Sequence, residues 1–203
     1  MKTGRRSGPL FLGMAFLIVA MVAHHQQSTL GDLALLVGMG LDGAADGGYL
    51  LTVELAQAGN DGSQEETMLL QTQGRSWPEL KTNLTLVLEK EPSWSNAALL
   101  LFGPALHEAD RSRLAAALYA DPDIDSFLLL AQSREPAAAV LAAGFGSGDD
   151  TCPALGRRLQ ALARERGEQP PVLARYLLAA ARRETAPLPA LMIENGRTVI
   201  VDE

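Results

Sequence analysis

A glycine-fenced apolar run, Gly31-Asp-Leu-Ala-Leu-Leu-Val-Gly-Met-Gly-Leu-Asp42, constrains the fold of this chain more than any other segment. Leu33–Met39 is apolar and bounded by glycines, so it reads as a buried strand. Gly40 and Asp42-Gly43 are expected to turn the chain, and Tyr49–Leu55 supplies a second strand. The pair predicts a β-hairpin placed just after an apolar N-terminal segment.

Further along, strand and helix signals alternate. Ala58–Glu66 is a polar loop with strong turn chemistry, and Thr67–Thr72 suits a short strand. Ser76-Trp77-Pro78-Glu79 reads as a capping box with proline in the first turn. Leu80, Leu84, Val87 and Leu88 then fall on one helical face. Ala97–Phe102 is a near-continuous apolar run, hence a central strand. A helix is expected over Glu108–Tyr119, with Leu114 and Leu118 inward. Asp125–Ala131 reads as another buried strand, and Ser133 as the cap of a helix that runs through Ala143 and ends at Gly144. Leu155–Arg166 and Val172–Arg183 are amphipathic. Ala190–Ile193, Asn195-Gly196 and Arg197–Val201 form a hairpin with a type I′ turn. The whole predicts an α/β (α+β) domain, a mixed sheet with packed helices.

The N-terminus differs in kind from the rest. Leu10–Ala23 holds fourteen uncharged residues, preceded by Lys2, Arg5 and Arg6. It is shorter than the roughly 20 residues that span a bilayer core. Basic residues before it and polar ones after it match a signal or membrane-anchor segment, assigned to residues 1–28, with a single domain over 29–203. Without those three bases, 14 basic residues remain against 24 acidic ones, a net of −10. Such a domain repels phosphate backbones and anionic lipid, which argues against nucleic-acid binding.

The residues that could carry chemistry are few. The sole cysteine, Cys152, permits no intramolecular disulfide and, standing beside Pro153, reads as a buried or loop thiol. His24 and His25 flank the apolar stretch, and His107-Glu108 lacks a second histidine four residues on, so the zinc-protease helix pattern fails. Gly144-Phe-Gly-Ser-Gly148 follows a helix and precedes Asp149-Asp150, so it reads as a linker rather than a phosphate cradle. Ser147 is not in a nucleophile-elbow frame. Asp121, Asp123 and Asp125 alternate, but Ser126 and Gln132 stand where a calcium loop needs glycine and glutamate, so a helix-to-strand turn is expected. Asn83-Leu84-Thr85 is a sequon by letters only, placed mid-helix. No catalytic, cofactor-binding or metal-ligating residue is assigned.

The hairpin resembles the start of the Ger(x)C family, the C subunits of spore germinant receptors. Members leave the membrane through a lipidated Cys-Trp-Asp and run Glu-Ile-Asn-Asp-Leu-Ala-Leu-Val-x-x-x-Gly-Ile-Asp into a strand. The resemblance extends from about Leu30 to about Val201. It takes in the Ser-Trp-Pro-Glu helix, the Ala97–Phe102 strand, and Asp121-Pro-Asp-Ile124 leading into Phe127–Ala131. On this alignment His24 stands where the acylated cysteine belongs and His25 where the tryptophan belongs, so the lipid anchor is expected to be lost. Family members continue through two further domains, whereas this chain ends at Val201-Asp202-Glu203. The resemblance implies a non-enzymatic, membrane-associated subunit of a nutrient germinant receptor. It would work without a cofactor, beside integral-membrane A- and B-type subunits, on the non-cytoplasmic side of the spore inner membrane, or secreted if a signal is cleaved. The alternatives are a secreted or anchored small-ligand binder of unrelated origin and an exported hydrolase with a scattered site.

Overall fold

Backbone pairing starts within the glycine-fenced run itself. The computed structural model describes residues 34–57, 66–88, 91–147 and 150–201. The signal or anchor reading of residues 1–28 lies outside them. Strand β1 (Ala34–Gly43) pairs antiparallel with β2 (Tyr49–Gln57), which pairs antiparallel with β3 (Glu66–Gly74). Helix α1 (Trp77–Leu88) follows, then a two-residue β4 (Pro92–Ser93) and a 3-10 turn, Trp94–Asn96. Next come β5 (Leu99–Phe102), α2 (Glu108–Tyr119), β6 (Leu129–Ser133), α3 (Ala137–Ser147) and α4 (Cys152–Glu165). The chain finishes with α5 (Leu173–Arg182), β7 (Ala190–Glu194) and β8 (Arg197–Val201).

The strands form one mixed sheet in the order β3-β2-β1-β5-β6-β7-β8, with β4 beside the start of β1. The neighbours β1, β5, β6 and β7 are mutually parallel, and an antiparallel hairpin closes each side. The expected α/β (α+β) class and mixed sheet are therefore observed. Among the described residues no helix is long and apolar enough to cross a membrane.

Side-chain alternation divides the core in two. Met39, Leu41, Leu51, Val53, Leu55, Leu100, Phe102 and Leu130 point to one face, with α1, α2 and α5 packed on it through Leu80, Leu84, Leu114, Leu118, Leu173 and Tyr176. Leu99, Leu101, Leu129, Ala131 and Leu191 point to the other, under Ala137, Val140 and Leu141 of α3 and Leu155 and Leu159 of α4. The second face depends on small residues. A Cβ on Gly40 would lie 2.9 Å from the Ala137 Cβ and 3.0 Å from Leu141. Helix α3, whose sequence opens Ala-Ala-Ala-Val-Leu, therefore lies close against the sheet and touches strands from β3 to β8.

Several local expectations shift. Gly40 and Asp42 lie inside β1, because Gly40 is needed beneath α3; the turn falls at Ala44–Gly48 instead. The reciprocal side-chain contact of Glu79 reaches the Arg75 N–H, while the Glu79 N–H donates to Ser76 Oγ at 3.4 Å. Val87 is exposed, since Trp77, Leu80 and Leu84 set the inward stripe of α1 and Val87 falls on its flank. Strand β6 begins only at Leu129: Asp125 Oδ1 accepts the Phe127 N–H, and that turn leaves Phe127 in solvent. Ser133 ends β6, and its hydroxyl donates to Phe102 O rather than capping a helix. Helix α3 runs past Gly144 to Ser147, and α4 starts three residues before Leu155. The C-terminal hairpin is as expected, with positive φ at Asn195 (52°) and Gly196 (76°).

Leu99, Leu101 and Leu129 are nearly or wholly buried, in parallel strands covered on both faces. Leu→Ala at each is expected to cost about 2–5 kcal/mol in urea melts. A loss below about 0.5 kcal/mol, typical of surface positions, would contradict this packing.

Candidate functional site

The polar chemistry that the fold buries sits on the face under α3 and α4. Asp42, at the end of β1, reaches the N-terminus of α3. Its Oδ1 accepts the Ala137 N–H at 2.9 Å, and its Oδ2 accepts the Ala138 N–H at 3.1 Å. Four N–H groups open every helix without an intrahelical partner, and a carboxylate there also meets the positive end of the helix dipole. Asp42 thus does for α3 what the sequence assigns to Ser133. The carboxylate needs space: a Cβ on Gly103 would lie 1.7 Å from Asp42 Oδ1. The aspartate that closes the hairpin motif is therefore a structural pin joining positions 95 residues apart.

Glu54 repeats the device one strand over. It lies in the interior of β2, only 4% exposed, and its Oε2 accepts the Cys152 N–H at 2.8 Å in the first turn of α4. The Cys152 thiol lies beside the same carboxylate. Gly38 makes the approach possible, because a Cβ there would lie 2.0 Å from the Cys152 sulfur. Glu54 Oε1 is buried with no hydrogen-bond partner among the described residues. Burial pushes the Glu54 carboxyl above its usual range, against the pull of the Cys152 hydrogen bonds. Burial, then the Glu54 charge, pushes the Cys152 thiol well above its own. A fully buried thiol held protonated is the opposite of an activated nucleophile, and its polar neighbour is Glu54 rather than the imidazole of His107. A third carboxylate, Asp150, accepts from Arg158 at 2.7 Å and from the Thr198 N–H at 3.2 Å, tying α4 to β8.

The opposite face carries polar clusters of its own, one of them around Asp121. Asp121 accepts from Trp77 Nε1 at 2.7 Å and from Lys81, which also bonds Asp123. Burial alone would raise the Asp121 carboxyl; the hydrogen bonds from Lys81 and Trp77 outweigh it and hold the group below its usual range. Asp121 Oδ1 also accepts the Asp123 N–H, so these aspartates form the expected turn. Trp77 meets Trp94 edge-to-face at 5.1 Å, with the Lys81 ammonium 5.7 Å from the Trp94 ring centre.

The remaining sequence candidates stay apart from any chemistry. His107 precedes α2 and makes no side-chain cap. Asn83 Nδ2 donates to Gln73 O at 2.8 Å. His24 and His25 lie outside the described residues. Among the described residues, no group of three or more His, Cys, Asp or Glu is placed to hold a metal ion.

A family model described as "Spore germination protein N-terminal domain" matches residues 26–170, well over half of the chain. The chain belongs to this spore germination family. No curated protein and no solved structure matches it. The matched span contains the three-stranded meander, the central strands, and both carboxylate pins with their glycines. Helix α5 and the β7–β8 hairpin lie beyond it, yet β7 continues the same sheet by pairing with β6 at Gln132 and Ser133.

Sequence reading overlooked both pins. Glu54 carried a signal, a charge inside the apolar strand Tyr-Leu-Leu-Thr-Val-Glu-Leu; Asp42 was disguised as a turn residue.

Two outcomes test this account. Asp42→Ala is expected to cost about 1–2 kcal/mol, at the upper end for a lost cap because the freed Ala137 N–H is buried and that of Ala138 half-buried. Gly103→Ala should destabilise the native protein more than it does the Asp42→Ala variant, a non-additivity that a double-mutant cycle of melts would measure. For Glu54, the folded-state pKa lies above the unfolded one. Its contribution is therefore full below the unfolded value and is lost as pH rises through the folded one. The Glu54→Gln protein should gain stability relative to the parent as pH rises, with a slope of at most about 1.4 kcal/mol per pH unit. Parallel pH profiles in urea melts would show that Glu54 does not titrate differently on folding.

Proposed function

We propose that this chain is a non-enzymatic, membrane-associated subunit of a nutrient germinant receptor, working by contact with integral-membrane A- and B-type subunits. Membership of the spore germination family carries this reading. The character of the buried polar groups supports it. Asp42, Glu54 and Asp150 are spent on holding helices to the sheet, and the one thiol is sealed.

The surface offers a place for such contact. Leu86 (71% exposed) and Val87 lie on α1, Tyr119 ends α2, and Leu178 lies on α5. These three helices cover one face of the sheet. Phe127, 73% exposed, stands in the turn before β6. Exposed large apolar side chains gathered on one layer are what a protein-binding face presents. The apolar stretch Leu10–Ala23, with Lys2, Arg5 and Arg6 before it, would keep the domain at the non-cytoplasmic face of the spore inner membrane.

Removing the gene should slow germination in response to at least one nutrient while leaving spore formation intact. Leu86→Ser combined with Phe127→Ser should reproduce the defect, with melting shifted by less than about 0.5 kcal/mol. Normal germination of the deletion strain to every nutrient tried would refute the receptor reading. Recovery of the tagged chain in the soluble fraction of broken cells would refute membrane association.

A further inference from the structure

The sheet ends on one side at β3, and among the described residues no strand pairs with its outer edge. The ladder decides which backbone groups face outward. Leu41 O accepts the Gly103 N–H at 2.8 Å on the β5 side, so in the antiparallel alternation Asp42 and Leu50 exchange hydrogen bonds, and the Leu50 backbone faces β1. Gln73, opposite Leu50, therefore turns its N–H and C=O away from β2, and so do Gln71, Leu69 and Thr67. A contact from α1 agrees: Asn83 Nδ2 donates to Gln73 O at 2.8 Å. It sets the Asn83 side of α1 over the edge and closes the edge at Gln73. At the far side of the sheet, Asp150 closes the edge of β8 by accepting the Thr198 N–H. Among the described residues, the edge of β3 stays open at Thr67, Leu69 and Gln71.

Long edge strands ordinarily carry lysine, proline or a bulge that discourages pairing. After Glu66, β3 reads Thr-Met-Leu-Leu-Gln-Thr-Gln-Gly, without charge or proline, and its register with β2 has no bulge. Its apolar centre is incompletely covered. Met68, Leu69 and Leu70 are half-buried, at the rim of the two core clusters. Val87 marks the same gap from above. It lies one helical turn beyond Asn83 on the same side of α1, about 6 Å on, which is about two strand residues and so level with Gln71. Val87 is exposed because the sheet stops short of it.

We propose that the missing strand is β3 of a second copy of this chain, paired antiparallel about a two-fold axis at Leu69 so that two sheets become one. Charge favours a copy at this place. The domain is strongly acidic, so two of them repel over most of their surface, and the uncharged run from Thr67 to Gly74 is where they can meet. Register favours the axis. It sets Leu69 against Leu69 and Met68 against Leu70, apolar pairs that stabilise a sheet, and its hydrogen bonds use only the three open residues, Thr67 with Gln71 and Leu69 with itself. An axis one or two residues further on would need Gln73, whose carbonyl Asn83 holds. About Leu69, the two α1 helices lie over opposite halves of the seam, each with Val87 above the added strand.

The proposal stands apart from the receptor reading, and its test needs no partner subunit. The full chain is sedimented in a non-ionic detergent that disperses Leu10–Ala23. A monomer–dimer equilibrium is expected, half-dimerised on the order of 10 μM, the weak end for a small interface. Gln71→Pro and Thr67→Pro each remove an outward N–H that β2 does not use, so the monomer keeps its ladder while the seam is blocked. Each should weaken dimerisation at least about tenfold. Circular dichroism melts show which variants fold, and either suffices. Register is read by mild oxidation. Leu69→Cys places two thiols at a Cα separation of about 5.5 Å, within disulfide reach, and should give a covalent dimer, while Gln73→Cys, the more exposed position, should not. A parent chain that stays monomeric at 100-fold higher concentration than expected for half-dimerisation would overturn the proposal. So would a dimer that survives in a folded proline variant, or cross-linking of Gln73→Cys in preference to Leu69→Cys.

Discussion

The contact between the Asp42 carboxylate and the first N–H groups of α3 is the constraint on which the rest of this structure depends. It fixes α3 end-on over the carboxyl end of β1, and α3 then lies along a sheet face that it touches from β3 to β8. So close a helix leaves no room for ordinary side chains beneath it. Gly40 clears Ala137, Gly103 clears the Asp42 carboxylate, and Gly38 clears the start of α4. The glycines of the motif are thus not markers of flexibility. They are the missing volume that lets two helix N-termini come down onto strand carboxylates.

The two sheet faces solve the same burial problem by different physics. Under α1, α2 and α5, the core is large aliphatic and aromatic groups, stabilised in proportion to the area removed from water and tolerant of volume-conserving exchange. Under α3 and α4, buried leucines are joined by small residues and directed hydrogen bonds, and a methyl added to a glycine of β1 meets an atom at van der Waals overlap. A polar pin supplies little net energy, but leaving its partners buried and unpaired costs much more. The pins therefore specify where α3 and α4 sit, while apolar burial on both faces supplies the stabilisation.

This division explains what was legible in the sequence. Periodicity and turn chemistry report local preference, so the C-terminal Asn195-Gly196 hairpin, the helix with Leu114 and Leu118 inward, and the central strand at Leu99–Phe102 could be read directly. The misreadings share one cause. Gly40 and Asp42 look like turn residues, Ser133 like a cap and Gly144 like a stop, because each residue type has that local habit. In the fold each answers to a partner far along the chain: Ala137 for Gly40 and Asp42, Phe102 for Ser133, the Asp150 backbone for Gly144. Arg111 and Gln132 were silent for the same reason. An arginine in a helical first turn and a glutamine near a strand end mean nothing until the topology brings them into hydrogen-bond contact.

Order and spacing identified the family where single residues could not, and the pins supply a physical reason. A carboxylate 95 positions before its helix needs a fixed sequence of elements between them: a meander, a helix, two parallel strands and the crossover α2. Lengthening or shortening a loop leaves that order intact, whereas reordering the elements would separate Asp42 from Ala137 and Glu54 from Cys152. The motif Asp-Leu-Ala-Leu-Leu-Val-Gly-Met-Gly-Leu-Asp is therefore informative as a set. Leu36, Met39 and Leu41 bury on one face, Gly38 and Gly40 admit helices on the other, and the terminal aspartate takes hold of the nearer one.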